Sequence, residues 1–158
     1  MAYLIARSSN VSNEFKPVSV TCEVKETFAD NVKSDVYIQN TGDVDAYIRA
    51  VVIANWVSDS GKVHSQMPQE GIDYKIEWGK TGWKLKEDGY RYYEKSIEPI
   101  TVNEDAKTDK LIVKADAVTA PPEGFRLEIQ ILATAIQANP ERVVNEAWGV
   151  TVEEGIIQ

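Results

Sequence analysis

Residues 40–56 read NTGDVDAYIRAVVIANW, a polar opening followed by an almost wholly apolar run. Successive side chains of an extended chain point to opposite sides, so this run presents two faces. The even positions 46–56 form one apolar face, and the odd positions 47–55 form a second face that is apolar in its middle. The stretch therefore predicts a strand that enters the centre of a β-sandwich.

The same alternation recurs in at least five other places. The apolar positions concerned are Val18, Val20, Cys22 and Val24; Val36 and Ile38; Ile72, Tyr74, Ile76 and Trp78; Leu111, Val113 and Ala115; and Phe125, Leu127, Ile129, Ile131, Ala133 and Ala135. Turn residues separate these runs, and Glu87-Asp88-Gly89 predicts a hairpin between Trp83/Leu85 and Tyr90/Tyr92. Short strands at this spacing are typical of a sandwich or jelly roll.

One helix is predicted near the carboxyl end. Asn139 fits the N-cap, Pro140 fits the first helical position, and Gly149 fits the end of the helix. The residues expected to face the sheet are Val143, Val144 and Ala147. We therefore expect an all-β fold over residues 1–158, a single domain formed by a jelly-roll-like antiparallel β-sandwich with one short helix near the C-terminus.

Composition narrows the function classes. The chain has 158 residues, a formal net charge of −8 and a sequence pI of about 4.7. This negative charge argues against nucleic acid as a partner, because proteins usually bind nucleic acid through a broad basic face. No apolar run is long enough to span a bilayer, and the opening MAYLIARSSN is not an intact signal peptide.

The residue types that catalysis needs are scarce. His64 is the single histidine and Cys22 the single cysteine. A helical zinc protease motif needs two histidines one turn apart, and a serine hydrolase of the common kind needs a Gly-x-Ser-x-Gly elbow; neither is present. We expect His64 at the surface or in packing, Cys22 as a small buried hydrophobe, and no catalytic residue, cofactor or enzyme activity. Gly79-Lys80-Thr81-Gly82 lacks the spacing of a phosphate loop and is interpreted as a turn.

Two binding sites stay open as alternatives. Asn40, Asp43 and Asp45 could offer oxygen ligands for weak calcium binding, but the EF-hand pattern is absent, and a glycine turn that feeds the strand is favoured. A cluster of aromatic residues could stack on sugars, with cross-strand packing as the alternative. Its members are Tyr74, Trp78, Trp83, Tyr90 and Tyr92.

Three stretches carry a resemblance to a known family. They are Asn40-Thr41-Gly42-Asp43-Val44-Asp45-Ala46-Tyr47-Ile48-Arg49; the opening Ala2-Tyr3-Leu4 with Asn13-Glu14-Phe15; and residues 127–138 with Glu146-Ala147-Trp148-Gly149. Together they resemble the TasA/camelysin family, exported proteins of Gram-positive bacteria that a dedicated signal peptidase processes. The resemblance covers most of the chain.

The resemblance implies an extracellular jelly-roll protein of the biofilm matrix that self-assembles into fibres. In TasA-type fibres an amino-terminal segment of one subunit adds as a strand to the next. Within the expected extended segment 1–12, that donor would be about residues 2–9, with Ala2, Tyr3, Leu4, Ile5 and Ala6 as its apolar part. Pairing of this segment within its own subunit is the alternative.

The resemblance also allows partners and activities beyond self-assembly. Possible partners are other matrix proteins or polysaccharide, and a monomeric surface module that binds glycan through the aromatics at 74–93 is an alternative function. Camelysin is classed as a metalloprotease, but His64 is the single histidine here, so that activity is not carried over.

Overall fold

The computed structural model describes residues 20–158 in full and residues 3–7 as backbone. The strands, in chain order, are β1 (Tyr3–Arg7), β2 (Cys22–Ala29), β3 (Val32–Asn40), β4 (Ala46–Ser58), β5 (Tyr74–Trp78), β6 (Trp83–Leu85), β7 (Arg91–Tyr93), β8 (Ile112–Ala117), β9 (Phe125–Gln137), β10 (Val152–Glu153) and β11 (Ile156–Ile157). A helix, α1 (Glu141–Trp148), lies between β9 and β10. The predicted all-β sandwich with one short helix near the C-terminus is confirmed.

Two sheets face each other across the core. Sheet I has the strand order β1-β9-β4-β7-β6, and sheet II has the order β2-β3-β8-β5. All neighbouring strands in these sheets are antiparallel except β1 and β9, which are parallel. The short hairpin of β10 and β11 stands apart from both sheets.

The strand predicted from residues 40–56 is the centre of sheet I. β4 pairs with β9 without a register shift, from Ala46 opposite Gln137 to Ser58 opposite Phe125. The even positions of β4 and the odd positions of β9 point into the main core, where they meet Val36, Ile38 and Ile112 of sheet II. The double apolar pattern is explained because the outer face of β4 is also covered at one end, by a second cluster that includes Tyr47 and Val144.

The helix forms where predicted, but two of its details were wrong. Pro140, not Asn139, occupies the N-cap position, and no side chain caps the helix. The Asn139 carbonyl instead accepts a hydrogen bond from the Gln137 side chain at 2.8 Å. Val144 is buried and Val143 packs beside it, but Ala147 is exposed. Gly149 ends the helix as predicted, in the left-handed conformation at φ 67°, and donates its N–H to the Asn145 carbonyl.

The other predicted strands and turns need small corrections. The hairpin at residues 87–89 is confirmed between β6 and β7. Ile72 lies in a turn before β5 and is 59% exposed. In the region of β8 the buried residues are Leu111, Ile112 and Ala115, whereas Val113 is half-buried, so the expected alternation of Leu111, Val113 and Ala115 is wrong. Val18 lies outside the described residues. Within the part of the chain that the structure describes, no helix is both long and apolar enough to cross a bilayer.

Candidate functional site

The amino-terminal segment singled out in the sequence lies at one edge of sheet I. β1 pairs with β9 of its own chain, from Tyr3 opposite Glu128 to Arg7 opposite Leu132. The structure thus has the segment paired within its subunit, and Ala2 and residues 8–19 lie outside the description. β9 is much longer than its partner, since β1 reaches five of its thirteen residues.

The edge that β1 covers differs from the other sheet edges. From Ile129 to Gln137 the β9 strand carries no charged residue. By contrast, β5 exposes Lys75 and Glu77, and β6 is only three residues long. The β2 edge strand is irregular, with a shift of register between Lys25 and Thr27. Charges, short strands and bulges protect a sheet edge from pairing with another chain, so β9 is the edge most suited to accept a strand.

Lys33 on β3 and Glu26 on β2 form a partly buried ion pair in sheet II. The Lys33 ammonium is 3.0 Å from Glu26 Oε1, and the Lys33 side chain is only 4% exposed. Burial lowers the pKa of Lys33, while Glu26 and, more weakly, Glu128 act against that shift. Sequence reasoning missed this pair. The signal that could have found it is a lysine placed between Val32 and Val36 in a strand that feeds the core.

The polar opening at residue 40 forms the turn favoured from the sequence. Asn40 is fully buried, and its side-chain amide donates to the Val44 and Ile97 carbonyls, both at 2.8 Å. Its carbonyl Oδ1 accepts the Gly42 N–H at 2.9 Å. Asp43 and Asp45 are exposed. The described residues contain no group of three or more His, Cys, Asp or Glu side chains placed to hold a metal ion.

The five aromatics considered for glycan binding are split between different surroundings. Tyr92 is fully buried on the outer face of sheet I, and Tyr74 is 9% exposed in the main core. The Arg91 guanidinium lies 3.6 Å from the centre of the Trp78 ring, and the Trp83 indole donates to the Asp109 carbonyl at 2.9 Å. Two surface grooves of about 480 and 570 Å³ have none of these five residues in their linings. The glycan site remains a prediction, without a common aromatic face to support it.

Tyr90 belongs to a further cluster that the sequence did not reveal. The Arg49 guanidinium lies 4.2 Å from the Tyr90 ring centre and 4.8 Å from that of Trp148, and Arg49 donates to the Tyr92 hydroxyl at 3.2 Å. The Tyr92 hydroxyl in turn donates to Asp88. These contacts fasten α1 and the β6–β7 hairpin to the outer face of sheet I, so Arg49, which the resemblance includes, has a packing role here.

Cys22 and His64, the single cysteine and the single histidine, both have packing contacts. Cys22 is 1% exposed in the main core, and desolvation raises its pKa to about 12, so its thiol stays protonated near neutral pH. His64 accepts the Gln66 N–H through Nδ1 at 3.0 Å and packs edge-on against Phe125, with ring centres 4.7 Å apart. His64 thus has the surface and packing contacts expected for it.

Comparison with known proteins adds no assignment. No family model, no curated protein and no solved structure matches this chain. The TasA/camelysin resemblance therefore stays an expectation from the sequence.

Proposed function

We propose that this chain is a secreted structural protein of a biofilm extracellular matrix, and that it assembles into fibres by donating its amino-terminal strand to the next copy. The observation that carries the proposal is the β9 edge, which is long, uncharged from Ile129 to Gln137, and covered by a short parallel strand from the chain terminus. The sequence resemblance supplies the extracellular matrix setting and the self-association.

Exchange of the terminal strand between copies requires little free energy. The same five residues of β9 pair with residues 3–7 whether that segment comes from the same chain or from another copy. The contacts are equal in the two states, so the balance is set by the entropy of closing the linker and by the concentration of subunits. A strand passed head to tail from copy to copy does not close on itself, and so it produces a filament.

Cross-linking tests the donation directly. Ile5 stands opposite Gln130 in the register, so one preparation carries Ile5→Cys and a second carries Gln130→Cys. The two are mixed at high concentration and mildly oxidised. Cys22 is buried with a raised pKa, so it does not compete. We expect a disulfide-linked pair of chains, and none when Gln130→Cys is replaced by Gln39→Cys, a matched glutamine on β3 of the other sheet.

Electron microscopy then tests whether the exchange builds fibres. We expect filaments from the concentrated full chain and dispersed particles from a chain that lacks residues 2–9.

A second comparison separates main-chain pairing from side-chain effects. Leu4→Pro with Ile5→Pro removes N–H donors from β1 and should abolish filaments, whereas Leu4→Ala with Ile5→Ala keeps those donors and should retain some. Dispersed monomers together with no interchain disulfide would refute the proposal.

A further inference from the structure

The larger of the two grooves lies between the β6–β7 turn and the end of α1. Its volume is about 570 Å³, within the range of roughly 300–1,000 Å³ that small-molecule sites occupy. The lining consists of Leu85, Lys86, Glu87 and Asp88 from the turn, and of Trp148, Gly149 and Val150 from the end of the helix. The groove thus brings one aromatic ring together with charged side chains from a distant part of the chain.

The Trp148 ring is held in place by residues outside the groove lining. The Arg49 guanidinium lies 4.8 Å from the centre of the Trp148 ring, and the Tyr92 ring packs against Trp148 at an angle of 72° with ring centres 5.8 Å apart. Arg49 Nε is buried and has no hydrogen-bond partner among the described residues, so the guanidinium depends largely on its aromatic neighbours. Trp148 itself is only half-buried, and the groove therefore has a fixed aromatic wall.

The opposite wall offers polar groups, one of which is also fixed. Asp88 Oδ1 accepts the Tyr90 N–H at 2.9 Å, and the Tyr92 hydroxyl donates to Asp88 Oδ2. Each carboxylate oxygen has a second lone pair, so Asp88 can accept further hydrogen bonds from a ligand. Glu87 beside it is exposed, and Lys86 supplies an ammonium with three donors.

The charges of the lining select the class of ligand. The carboxylates of Glu87 and Asp88 outnumber the single ammonium of Lys86, and the whole chain has a formal net charge of −8. An anionic ligand would be repelled by this field, and an apolar peptide would leave the charged groups desolvated without partners. A neutral sugar avoids both costs, because its C–H face packs on an aromatic ring while its hydroxyls donate to carboxylates and accept from an ammonium.

We infer that this groove binds a neutral pyranose unit of a polysaccharide, with Trp148 as the stacking ring and Lys86, Glu87 and Asp88 as partners of the sugar hydroxyls. The site is separate from the aromatics predicted from the sequence, none of which lines the groove. The inference goes beyond the proposed function, because sugar binding here requires no exchange of the terminal strand. In a matrix, such a site would attach the protein to polysaccharide.

NMR of the tryptophan indole groups locates the binding. The chain has four tryptophans, so each indole N–H can be followed separately while the full chain is titrated with sugar. The neutral probes are cellohexaose, maltohexaose and chitohexaose, and alginate oligomers are the anionic comparison. We expect a saturable shift of the Trp148 signal with at least one neutral probe and no saturable shift with alginate.

Calorimetric titration of variants with the probe that binds then tests the roles of the side chains. Trp148→Phe should weaken binding about tenfold, the scale of one aromatic contact. Glu87→Gln changes an exposed carboxylate of the groove and should weaken binding several-fold without disturbing α1. Glu77→Gln, at an exposed carboxylate on β5 outside this groove, is the matched control and should leave the affinity unchanged.

Several results would overturn the inference. They are no shift of Trp148 with any neutral probe, a shift confined to Trp78 or Trp83, tighter binding of alginate, or an unaltered affinity in both Trp148→Phe and Glu87→Gln. Filaments that bind none of the neutral probes would overturn the inference and leave the proposed function standing. Sugar binding at Trp148 by a chain that never assembles would support the inference and refute the proposed function.

Discussion

Gly79 is expected to be the glycine least able to accept a side chain, for a reason different from that of the turn glycines. A Cβ placed on Gly79 would lie 1.6 Å from the main-chain oxygen of Lys110. Its own N–H donates to the Leu111 carbonyl at 2.9 Å, so the two segments are held together at this point. Gly79 follows β5 and precedes β6, where the chain leaves sheet II for sheet I.

The cost of Gly79→Ala follows from that geometry. Non-bonded atoms pack at about 3.5–4.0 Å, so the segments would have to separate by roughly 2 Å. The separation would break the hydrogen bond to Leu111 and shift Leu111 itself, which is 1% exposed. Overpacking of about 1–3 kcal/mol and a lost hydrogen bond of about 1 kcal/mol give a loss of about 3 kcal/mol in the free energy of unfolding.

Gly89→Ala is the matched control. Gly89 lies in the turn between β6 and β7, at φ 84°, and a Cβ there meets nothing within 4 Å. Its cost is therefore only that of a left-handed backbone, about 1–2 kcal/mol.

Urea denaturation followed by tryptophan fluorescence compares the two variants with the native chain. With a slope of about 2 kcal/mol/M, Gly79→Ala should lower the midpoint by about 1.5 M and Gly89→Ala by only about 0.5–1 M. A Gly79→Ala midpoint equal to or above that of Gly89→Ala would show that the close approach to Lys110 does not control this turn.

Three other predictions concern single groups. Cys22 should not react with a thiol reagent at pH 8 until urea unfolds the protein, because its thiol is buried with a pKa of about 12; rapid labelling of the native chain would contradict this. Asn40→Ala should cost about 3 kcal/mol in urea denaturation through the loss of three hydrogen bonds, whereas Asp45→Ala, at an exposed carboxylate of the same turn, should cost less than about 1 kcal/mol; equal costs would count against the turn assignment. Alkaline pH should destabilise the fold, because burial raises the pKa of several tyrosines. A group with a raised folded pKa contributes stability that is present below its unfolded pKa of about 10 and lost as pH rises through the folded value. A thermal midpoint that does not fall between pH 9 and pH 11 would refute this. The tyrosines are Tyr47, Tyr74, Tyr92 and Tyr93.

Much of the sandwich could be predicted because its strongest signals are local. β4 and β9 each bury most of one face, so their apolar residues recur at every second position, and the sequence displays this directly. The hairpin at residues 87–89 and the end of α1 at Gly149 were equally predictable, since each depends on a glycine at positive φ.

Departures from the regular alternation of a strand could not be predicted from the sequence. Asp35 sits inside β3 at φ 55°, and the register passes from Ser34 to Val36 without pairing it. Lys33 and Val36 consequently share the inner face, although an ideal strand would separate them. A buried lysine is therefore found where strict alternation would place an exposed one.

The aromatic residues show the same limit for the candidate site. Trp78, Trp83 and Tyr92 are close together in the sequence, but they lie on three strands, and Trp78 on β5 belongs to sheet II. Trp83 stands opposite Tyr93 and Lys84 stands opposite Tyr92, so Trp83 and Tyr92 face opposite sides of sheet I. Tyr92 packs under α1, whereas Trp83 points toward the core. Closeness in the sequence thus predicted one aromatic surface, whereas the folded sheets place these side chains on different faces.

The sequence by itself determined the fold class, the central strands of sheet I, the hairpin, the helix and the turn at Asn40, since these depend on side-chain periodicity and on the torsions of single residues. Tertiary structure alone decided which edge the terminal strand covers, that this strand pair is parallel, and that Lys33 and Glu26 form an ion pair. The reason is physical: strand pairing between distant segments is selected by the whole set of packed faces and free edges, and neither exists until the two sheets have come together.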